Sequence, residues 1–286
     1  MVGKILMTEN DLSMEEIENL SYYDFMSYLG VPFFHLGGLA SSERLAELCN
    51  IDANKSLLMV GCGAGFSACH IAKVFGCSVV GVDIAETSIE KAKERAQMEN
   101  VSDRVEFLIG DAYNLPFEPG SFDAVITEFV SQFLDNDMAF REFERVLKPG
   151  GFLGVNELYK DNDLDLKASE DIRKAEQIFS EITGLDFMVH TPVQWRQWFE
   201  KAGFEKVQIH KCNVSVSLKD ATQFISSIGG FVKLSILIMR MTKYMLASKI
   251  IRKRLLMLDR GKRLLLRKRS TSKHVGYILG VGKKSH

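Results

Sequence analysis

The chain of 286 residues lacks several features that would assign it to whole classes of protein. Its five cysteines form no C-x-x-C pair and do not cluster with histidines at metal-ligand spacing, which argues against a metal site. No run reaches the ~18 uninterrupted apolar residues that a membrane-spanning helix requires. The first residues do not resemble a signal peptide, and we therefore expect a reduced, cytoplasmic protein without bound metal.

Negative charge is nearly absent from the last part of the chain. The net charge is −1, yet residues 221–286 contain 16 Lys/Arg and a single acid, Asp259. Residues 1–220 contain 20 Lys/Arg and 36 Asp/Glu. The basic segment therefore differs electrostatically from an acidic body, although the overall balance is close to neutral.

A glycine-rich turn follows the first strongly apolar run. Residues 57–60 predict a buried strand, and Gly61, Gly63 and Gly65 come directly after it. Glycine lets the backbone turn tightly and lets a ligand approach, because it has no Cβ. The next apolar strand ends at Asp83, where a carboxylate can accept hydrogen bonds from two ribose hydroxyls. The pattern predicts a site for a nucleoside cofactor.

The spacing of these glycines departs from the dinucleotide fingerprint. The G-x-G-x-x-G pattern requires a third glycine at position 66, where this chain has Phe66, and Gly65 comes one residue early. A cofactor with a diphosphate is therefore disfavoured. An NAD-dependent oxidoreductase stays as an alternative that nicotinamide cofactor binding would support.

Strands and helices alternate with short connections between residues 57 and 157, which predicts βαβ units and a parallel sheet. We predict that Pro149-Gly150-Gly151 breaks the third helix before the fifth strand. The predicted strands lie near 57–60, 77–82, 105–109, 122–127, 152–156, 206–210 and 276–282, and helices near 66–75, 86–99 and 136–147.

Five short motifs occur in a fixed order between residues 60 and 151. They are Val60–Gly65, Gly81–Asp83, Gly110–Ala112 with Leu115–Phe117, Ser121–Val125, and Arg145–Gly151. In this order they resemble the class I S-adenosylmethionine (SAM) dependent methyltransferases, and within them the UbiE-like small-molecule group of ubiquinone and menaquinone biosynthesis. A lone glycine loop would be a much weaker match.

The resemblance implies a doubly wound, Rossmann-like α/β fold with a seven-stranded, mostly parallel sheet and an antiparallel last strand. It also implies an N-terminal helical cap and a C-terminal helical insertion. The predicted parts are a cap at 1–50, a SAM-binding core at 51–220 with an acidic insertion at 158–190, a basic helical insertion at 221–275, and the final core strand at 276–286.

The resemblance also implies the cofactor, SAM, with S-adenosylhomocysteine (SAH) as its product. It assigns Asp83 to the ribose, Asp111 to the adenine amino group, and Ile84 and Ala112 to the adenine ring. Asp111 has a second interpretation, as a turn residue that caps its own loop. The other predicted cofactor residues are Gly38, Gly61, Cys62 (through its backbone), Gly63, Gly65 and Glu128.

One position departs from the family pattern. Met59 stands where the family usually has Asp or Glu, just before the Val-Gly-Cys-Gly run. That acid helps to organise the methionine end of the cofactor in similar enzymes. A SAM-binding regulatory protein without turnover is therefore an alternative to an enzyme.

The segment before the first strand is rich in aromatic residues. Ser13 and Glu16 predict a capping box at a helix start. In similar methyltransferases this segment folds over the cofactor as a lid, with the equivalent of His35–Gly38 near the methionine end. The alternative is that it only packs on the edge of the sheet.

The candidate catalytic residues are Glu128, Glu157, His35 and Tyr22. Both glutamates leave adjacent strands at the carboxyl edge, so we expect their carboxylates to converge on the acceptor, as a base or as a partner of a cationic amine. In the alternative, Glu128 complements the dipole of the following helix and Glu157 is a solvated residue at a loop start. His190 is a further candidate base.

The stretch after the fourth strand bears on the acceptor. Amino-methyltransferases that act on bases or amides typically carry Asn/Asp-Pro-Pro-Tyr/Phe there, and this chain has Thr127–Val130. We therefore expect methyl transfer to a small-molecule acceptor, lipophilic or quinone-like, by in-line displacement. An RNA methyltransferase that uses the basic segment is the alternative.

The basic segment predicts one cationic amphipathic helix. Apolar residues recur at 234, 237, 238, 241, 244, 245 and 255, with most of the basic residues off that stripe. Three roles fit: closing the acceptor pocket against the acidic body, contacting an anionic membrane as a peripheral protein at its inner face, or binding RNA phosphates.

Overall fold

A single seven-stranded sheet forms the centre of the protein in the computed structural model, which describes residues 12–31, 35–213, 222, 225 and 230–285. The strands are β1 (Ser56–Val60), β2 (Ser78–Asp83), β3 (Val105–Ile109), β4 (Phe122–Glu128), β5 (Leu147–Lys160), β6 (Phe204–Asn213) and β7 (Val275–Lys284). Their order is β3-β2-β1-β4-β5-β7-β6.

The sheet is parallel except for β7, which runs antiparallel to both of its neighbours, β5 and β6. The predicted fold class is confirmed, including the antiparallel last strand. The chain winds outward in both directions from β1 and β4, so the crevice at their carboxyl ends is the topological switch point, where α/β sheets bind ligands.

Helices cover both faces of the sheet and extend beyond it. The described helices are α1 (Met14–Asn19), α2 (Tyr22–Leu29), α3 (Gly38–Leu48), α4 (Phe66–Phe75), α5 (Glu86–Met98), α6 (Asn136–Val146), α7 (Leu166–Thr183), α8 (Pro192–Lys201), α9 (Phe231–Ala247) and α10 (Lys249–Lys262). The capping box predicted for Ser13 and Glu16 is present at α1. Thr191 caps α8, whose first residue is Pro192.

Alternate residues of the central strands enter two different cores. Leu57 and Met59 of β1 face α3, α4 and α5, whereas Leu58 and Val60 face α6 and α8. All four side chains are at most 2% exposed. A central parallel strand must be apolar on both faces because helices cover both, which explains its unbroken hydrophobic run.

A third core lies beyond the carboxyl edge of the sheet. There α1 and α2 pack with α7, α9 and α10. Hydrogen bonds join segments far apart in sequence: the Tyr28 and Tyr244 hydroxyls lie 3.0 Å apart, and Arg240 donates to the Tyr28 carbonyl at 3.1 Å. Lys268 pairs with Asp171 of α7 at 2.7 Å. The basic segment thus contacts both the N-terminal helices and the acidic helix α7.

The structure corrects the predicted start of the fifth strand. Helix α6 ends at Val146, and β5 begins at once at Leu147 instead of near residue 152. Leu147 pairs with Phe122, and the ladder then shifts register before Ala124 pairs with Phe152. The turn signal at 149–151 therefore marks an irregularity within the strand, because ladder pairing prevails over local turn chemistry.

The basic segment also differs from its prediction, since it forms two helices instead of one. Ser248 lies between α9 and α10 with an extended backbone, and its hydroxyl caps α10 by accepting from Ile251 N. Leu237 and Tyr244 are buried as the stripe predicts, but Ile238 is 56% exposed. Position 238 therefore lies on an outer face.

Part of the predicted organisation lies outside the described residues. This applies to residues 1–11 and 32–34 of the predicted cap, to 214–221, 223–224 and 226–229 near the start of the basic insertion, and to residue 286. The division of the chain into a cap, a core and insertions stays a prediction. No helix among the described residues is long and apolar enough to cross a membrane.

Candidate active site

The glycine turn after β1 is held against the neighbouring strand. The amides of Gly61 and Cys62 both donate to the Val82 carbonyl, at 2.7 and 3.0 Å. Gly61, Gly63 and Gly65 all have positive φ, at +68°, +52° and +76°. Because this region strains other residues, the three glycines are what allow the chain to pass from β1 into α4 within five residues.

The three glycines differ in what surrounds them. A Cβ on Gly61 would overlap the Val130 side chain, and one on Gly65 would lie 2.9 Å from the side chains of Ala92 and Phe107. Apart from its two chain neighbours, no atom of the described residues would lie within 4 Å of a Cβ on Gly63. Gly61 and Gly65 are thus required by packing, whereas Gly63 faces open space into which a ligand can approach.

The Asp83 carboxylate binds the backbone on both sides of the crevice. Its Oδ2 accepts from Gly63 N at 2.8 Å and its Oδ1 from Ala85 N at 2.9 Å. Burial raises the pKa of Asp83, while these amide bonds oppose the rise. Each oxygen retains a lone pair, so the fixed carboxylate can accept a vicinal pair of ribose hydroxyls.

The residues predicted for the adenine lie around the ends of β2 and β3. Ile84 is 75% exposed, an unusual state for a large aliphatic side chain beside the half-buried Asp83. Asp111 accepts from Tyr113 N at 2.9 Å and so caps its own turn. Its second oxygen accepts no hydrogen bond from the described residues. Turn capping and binding of an exocyclic amine are therefore compatible.

Arg95 of α5 supports the glycine turn, a role that the sequence analysis did not predict. Its Nε donates to the Ala64 carbonyl at 2.9 Å, and its guanidinium lies 3.0 Å from the centre of the Phe66 ring. Phe66, at the position of the third fingerprint glycine, is thus fixed by stacking. Residues 66 and 95 are far apart in the sequence, and no sequence pattern predicts this contact.

A buried polar cluster joins α3, α4, β4 and β5 beside the turn. His35 Nε2 lies 3.5 Å from Glu128 Oε2 and 3.3 Å from Ser67 Oγ, at the start of α4. Ser42 donates to Glu128 Oε1 at 2.8 Å. Asn156 Nδ2 lies 3.1 Å from His35 Nδ1. The predicted candidates His35 and Glu128 are therefore brought together, with two serines that the prediction missed.

Gly37 and Gly38, at the start of α3, turn the chain toward this cluster. Both have positive φ, at +82° and +57°. A Cβ on Gly37 would lie 2.7 Å from the Tyr277 hydroxyl oxygen. The glycines therefore let His35 lie beside Glu128 and Asn156, at the ends of β4 and β5, while α3 packs on β5.

Met59 lies in the core and does not reach this cluster. It is 2% exposed and belongs to the apolar core on the α3 to α5 side of the sheet. Glu128 ends the neighbouring strand, one residue beyond the pairing of Thr127 with Val60. An acid is thus present near the turn, although it comes from β4 instead of β1.

Glu157 lies within β5 and is only 1% exposed. Its Oε1 accepts from Val130 N at 3.0 Å and Ser131 N at 2.9 Å, and Thr127 Oγ1 lies 3.4 Å away. Its Oε2 is buried without a hydrogen-bond partner among the described residues. Burial raises the pKa of Glu157 to about 8, against the opposing effect of these donors.

Both alternative interpretations of the two glutamates are wrong, and so is the expectation that their carboxylates converge. Glu157 is buried within a strand, not solvated at a loop start. Glu128 binds Ser42 and His35 instead of complementing the dipole of the following helix. The two carboxylates do not converge: Glu128 pairs with Asn156 in the ladder, so Glu157 projects from the opposite face, as alternation along a strand requires.

Aromatic side chains close the edge of the sheet above Glu157. Tyr23 of α2 contacts Phe133 edge to face at 5.9 Å, and Phe133 contacts Phe129 and Phe187 at 6.1 and 5.1 Å. Phe129 has φ +60°, a strained conformation for a bulky side chain. Such strain is typical of functional sites.

Helix α2 brings Tyr23 near the carboxylates of Asp83 and Glu157, and the Tyr22 ring packs edge-on against Tyr23 at 5.2 Å. Burial raises the pKa of Tyr22 well above its usual range. The pKa of Tyr23 is raised first by burial and then by the nearby Tyr22, Asp83 and Glu157. The Ser27 and Ser88 hydroxyls, 3.0 Å apart, fasten α2 to α5. The cap therefore lies across the crevice.

His190 lies away from the site. Its ring packs edge-on against Trp195 and Trp198, at 5.4 and 4.6 Å. Burial lowers the pKa of His190 to about 4, with a further effect from Lys160. His190 is thus a packing residue between β5 and α8, and its candidacy as a base is not supported.

Comparison with known proteins is consistent with this geometry. Residues 58–155 match the family model of a methyltransferase domain. Methyltransferase GfsG of Streptomyces halstedii is 35% identical over 129 residues, which cover 45% of this chain and 46% of that protein. Sterol 24-C-methyltransferase of Saccharomyces cerevisiae is 30% identical over 220 residues, covering 69% and 57%. The matched region thus spans about half the length of these relatives.

Among solved structures, the [4+2]-cyclase SpnF superposes with a TM-score of 0.69 at 22% identity, covering 92% of this chain and 93% of that one. At this identity the likeness shows the fold alone. The matched region of the family model runs from β1 to β5 and includes the glycine turn, Asp83 and Asp111. From this match and its relatives we conclude that residues 58–155 form a class I SAM-dependent methyltransferase domain.

Proposed function

We propose that the protein transfers a methyl group from SAM to a small, lipophilic acceptor held between α2 and the end of β4. One observation carries the proposal: an aromatic cap, formed by the half-buried Tyr23, Phe129 and Phe133 and the buried Phe187, lies over the sheet edge that carries Asp83 and Glu157. The aromatic cap would place apolar side chains next to the cofactor position, and Glu157 would be the one carboxyl group beside them. Small-molecule sites typically combine these features.

The residues of the crevice fit the cofactor that the family uses. Asp83 is fixed to receive the ribose, Gly63 leaves space at the turn, and the polar cluster of His35 and Glu128 suits the charged methionine end. When bound there, SAM supplies a methyl group activated by a sulfonium. The protein has to align the acceptor with it and exclude water, and the aromatic cap suits both tasks.

Glu157 is the residue that we propose for handling the acceptor's proton. Its Oε1 is held by two backbone amides, so Oε2, which has no hydrogen-bond partner among the described residues, has a fixed position. A carboxyl group with a pKa of about 8 is only about one-tenth ionised at pH 7, but its ionised form is a stronger base than an ordinary glutamate, so it can accept a proton near neutral pH. It would accept a proton from an acidic carbon or hydroxyl of the acceptor.

The chemistry of the cap favours an extended apolar acceptor. Phe129, Phe133 and Phe187 present hydrocarbon rings and no charge. The yeast relative's name gives a sterol as its substrate class. A ring-bearing lipid, such as the quinone-like acceptors of the UbiE-like group, is therefore the acceptor class that we propose.

Methyl transfer is tested directly with SAM carrying a labelled methyl group and a total lipid extract. We expect label to enter the organic phase with the protein and to be lost with Phe133→Ala, whose ring forms the centre of the cap. Label in the aqueous nucleic-acid fraction would contradict the proposal. SAM binding without label in any fraction would instead support a non-catalytic SAM-binding protein, the alternative raised by Met59.

A matched pair of variants tests the polar cluster. We expect Glu128→Gln to weaken SAH binding by about 10- to 100-fold, because a charge-assisted hydrogen bond to the ammonium group is lost. Glu43→Gln is the control, since Glu43 also pairs with a histidine, His70, at 2.6 Å, but is 39% exposed in its side chain. Calorimetric titration with SAH measures both. Equal effects would show that Glu128 is only structural.

A further inference from the structure

Helix α9 is apolar on two opposite faces. Its inner face carries Leu237 and Tyr244, which are buried in the core that α9 shares with α1 and α2. Its outer face carries Phe231, Val232, Ile238, Met239 and Leu246, each between 56% and 74% exposed.

The spacing of the outer residues makes them one surface. Positions 231, 238 and 246 and positions 232, 239 and 246 recur at intervals of seven or eight, which is two helical turns. Ser235 and Thr242, the other residues of this stripe, are uncharged. The five large apolar side chains and these two small polar ones form what we name the outer stripe. Large exposed apolar patches mark interaction sites, because single exposed residues are normal but contiguous ones are not.

Helix α10 continues this surface with positive charge. Lys249, Arg252, Lys253 and Arg260 surround Leu256 and Met257 in a shallow depression. Arg252 donates back to the carbonyls of Met245 and Leu246, at 2.7 and 3.2 Å. Because Leu246 ends the outer stripe, Arg252 connects the stripe to the basic face of α10.

These cations are only weakly neutralised by the protein itself. Among the described residues, Lys249 and Arg260 have no acidic partner, and Lys253 contacts Glu181 at 3.4 Å with both side chains largely exposed. Residues 231–262 contain nine Lys/Arg and the single acid Asp259. The basic segment therefore keeps a strong positive field after its contacts with α7 are made.

We infer that the outer stripe of α9 and the basic face of α10 together dock the protein on an anionic phospholipid surface. The surface combines apolar side chains, which enter the boundary between headgroups and acyl chains, with cations, which attract anionic headgroups. Since no described helix can cross a membrane, the helices would lie in the plane of the interface. The inference is independent of the proposed methyl transfer.

Two other occupants fit the observations less well. A nucleic acid would use the cations but has no need of five exposed aliphatic or aromatic side chains, of which only Phe231 could stack on a base. A second copy of the chain would bring two basic helices together across a symmetric interface, where like charges oppose association.

Vesicle co-sedimentation with the full chain tests the inference. We expect binding to vesicles of phosphatidylcholine with phosphatidylserine and little binding to phosphatidylcholine alone. Removing Lys249, Lys253 and Arg260 together, as Lys249→Gln, Lys253→Gln and Arg260→Gln, should weaken binding about 100-fold, from roughly fivefold for each charge near the surface. Lys73→Gln, Lys93→Gln and Lys167→Gln remove the same charge from exposed sites elsewhere and should have little effect.

A second variant tests the apolar half. Phe231→Ser, Met239→Ser and Leu246→Ser together leave the charge unchanged, and we expect them to abolish most vesicle binding while SAH affinity is kept. The inference would be overturned if the control triplet (Lys73, Lys93 and Lys167) lost as much vesicle binding as the triplet on α10. It would also be overturned if the protein bound RNA but not vesicles. A wild-type dimer that the serine variant converts to a monomer would also overturn it.

Discussion

Asp83→Ala is expected to weaken the binding of SAM and SAH by at least about 100-fold, because the two charge-assisted hydrogen bonds that we propose between Asp83 and the ribose hydroxyls would be lost. The Asp83 carboxylate also holds the two sides of the crevice together by accepting from the amides of Gly63 and Ala85, and the substitution removes this acceptor. Isothermal titration calorimetry with SAH measures the effect without any need to know the acceptor.

Two further proteins make this result interpretable. Asp83→Asn keeps the volume of the side chain but presents an amino group to one of the two backbone donors, so it should also bind weakly while remaining folded. Asp103→Ala removes a carboxylate that is 74% exposed in its side chain and should bind SAH normally. Normal SAH affinity in both Asp83 variants would contradict the assignment. Binding of NAD by the wild type would revive the dinucleotide alternative.

Glu157→Gln is expected to change how stability depends on pH. Burial raises the pKa of Glu157 to about 8 in the folded protein, whereas an unfolded glutamate has its ordinary pKa of 4.5. Between these values the unfolded chain has lost the proton that the folded protein retains, so the free energy of unfolding falls as pH rises through this window. The total contribution is on the order of several kcal/mol.

The glutamine variant should lack this fall, because its amide does not titrate, while its oxygen can still accept from Val130 and Ser131. Urea unfolding from pH 5 to pH 8.5 measures the difference. Glu200→Gln, whose carboxylate is 56% exposed, serves as the control and should follow the wild type. Parallel curves for wild type and Glu157→Gln would show that Glu157 is already ionised at neutral pH.

The same variant tests the proposed proton transfer once the acceptor is known. We expect kcat/KM of the wild type to rise with pH toward a plateau above pH 8, and Glu157→Gln to lose both the rise and about 100-fold or more in rate. A rate that falls above pH 8 would instead assign Glu157 the role of a neutral hydrogen-bond donor.

The sequence was sufficient to predict the alternation of strands and helices because local features determine it. The apolar run before the glycine turn predicted β1 to within one residue, and the glycines at 65 and 76 predicted both ends of α4. The predicted start of β5 was wrong because Pro149-Gly150-Gly151 has the residues of a turn. The pairing of Leu147 with Phe122, which extends the strand, is a long-range contact that leaves no local signal in the sequence.

The arrangement of the two glutamates depended on register in the same way. Each glutamate lies at the end of a predicted strand. The pairing of Glu128 with Asn156 decides that the two carboxylates lie on opposite faces of the sheet. A shift of one residue would have placed Glu157 beside Glu128. The exposed position of Ile238 follows from the packing of α9 on α2, where Tyr244 contacts Tyr28, and this long-range contact has no local signal in the sequence.

The position of β7 has a consequence for the order of assembly. It is the last strand along the chain but an interior strand of the sheet, between β5 and β6. Until β7 is inserted, β5 has an open edge along Phe152–Lys160, and β6 has no neighbour at all. A nascent or truncated chain would therefore present an unpaired hydrophobic edge that can recruit strands from other chains. Chaperone dependence and aggregation during synthesis should accordingly be governed by the final strand, far from the crevice in sequence.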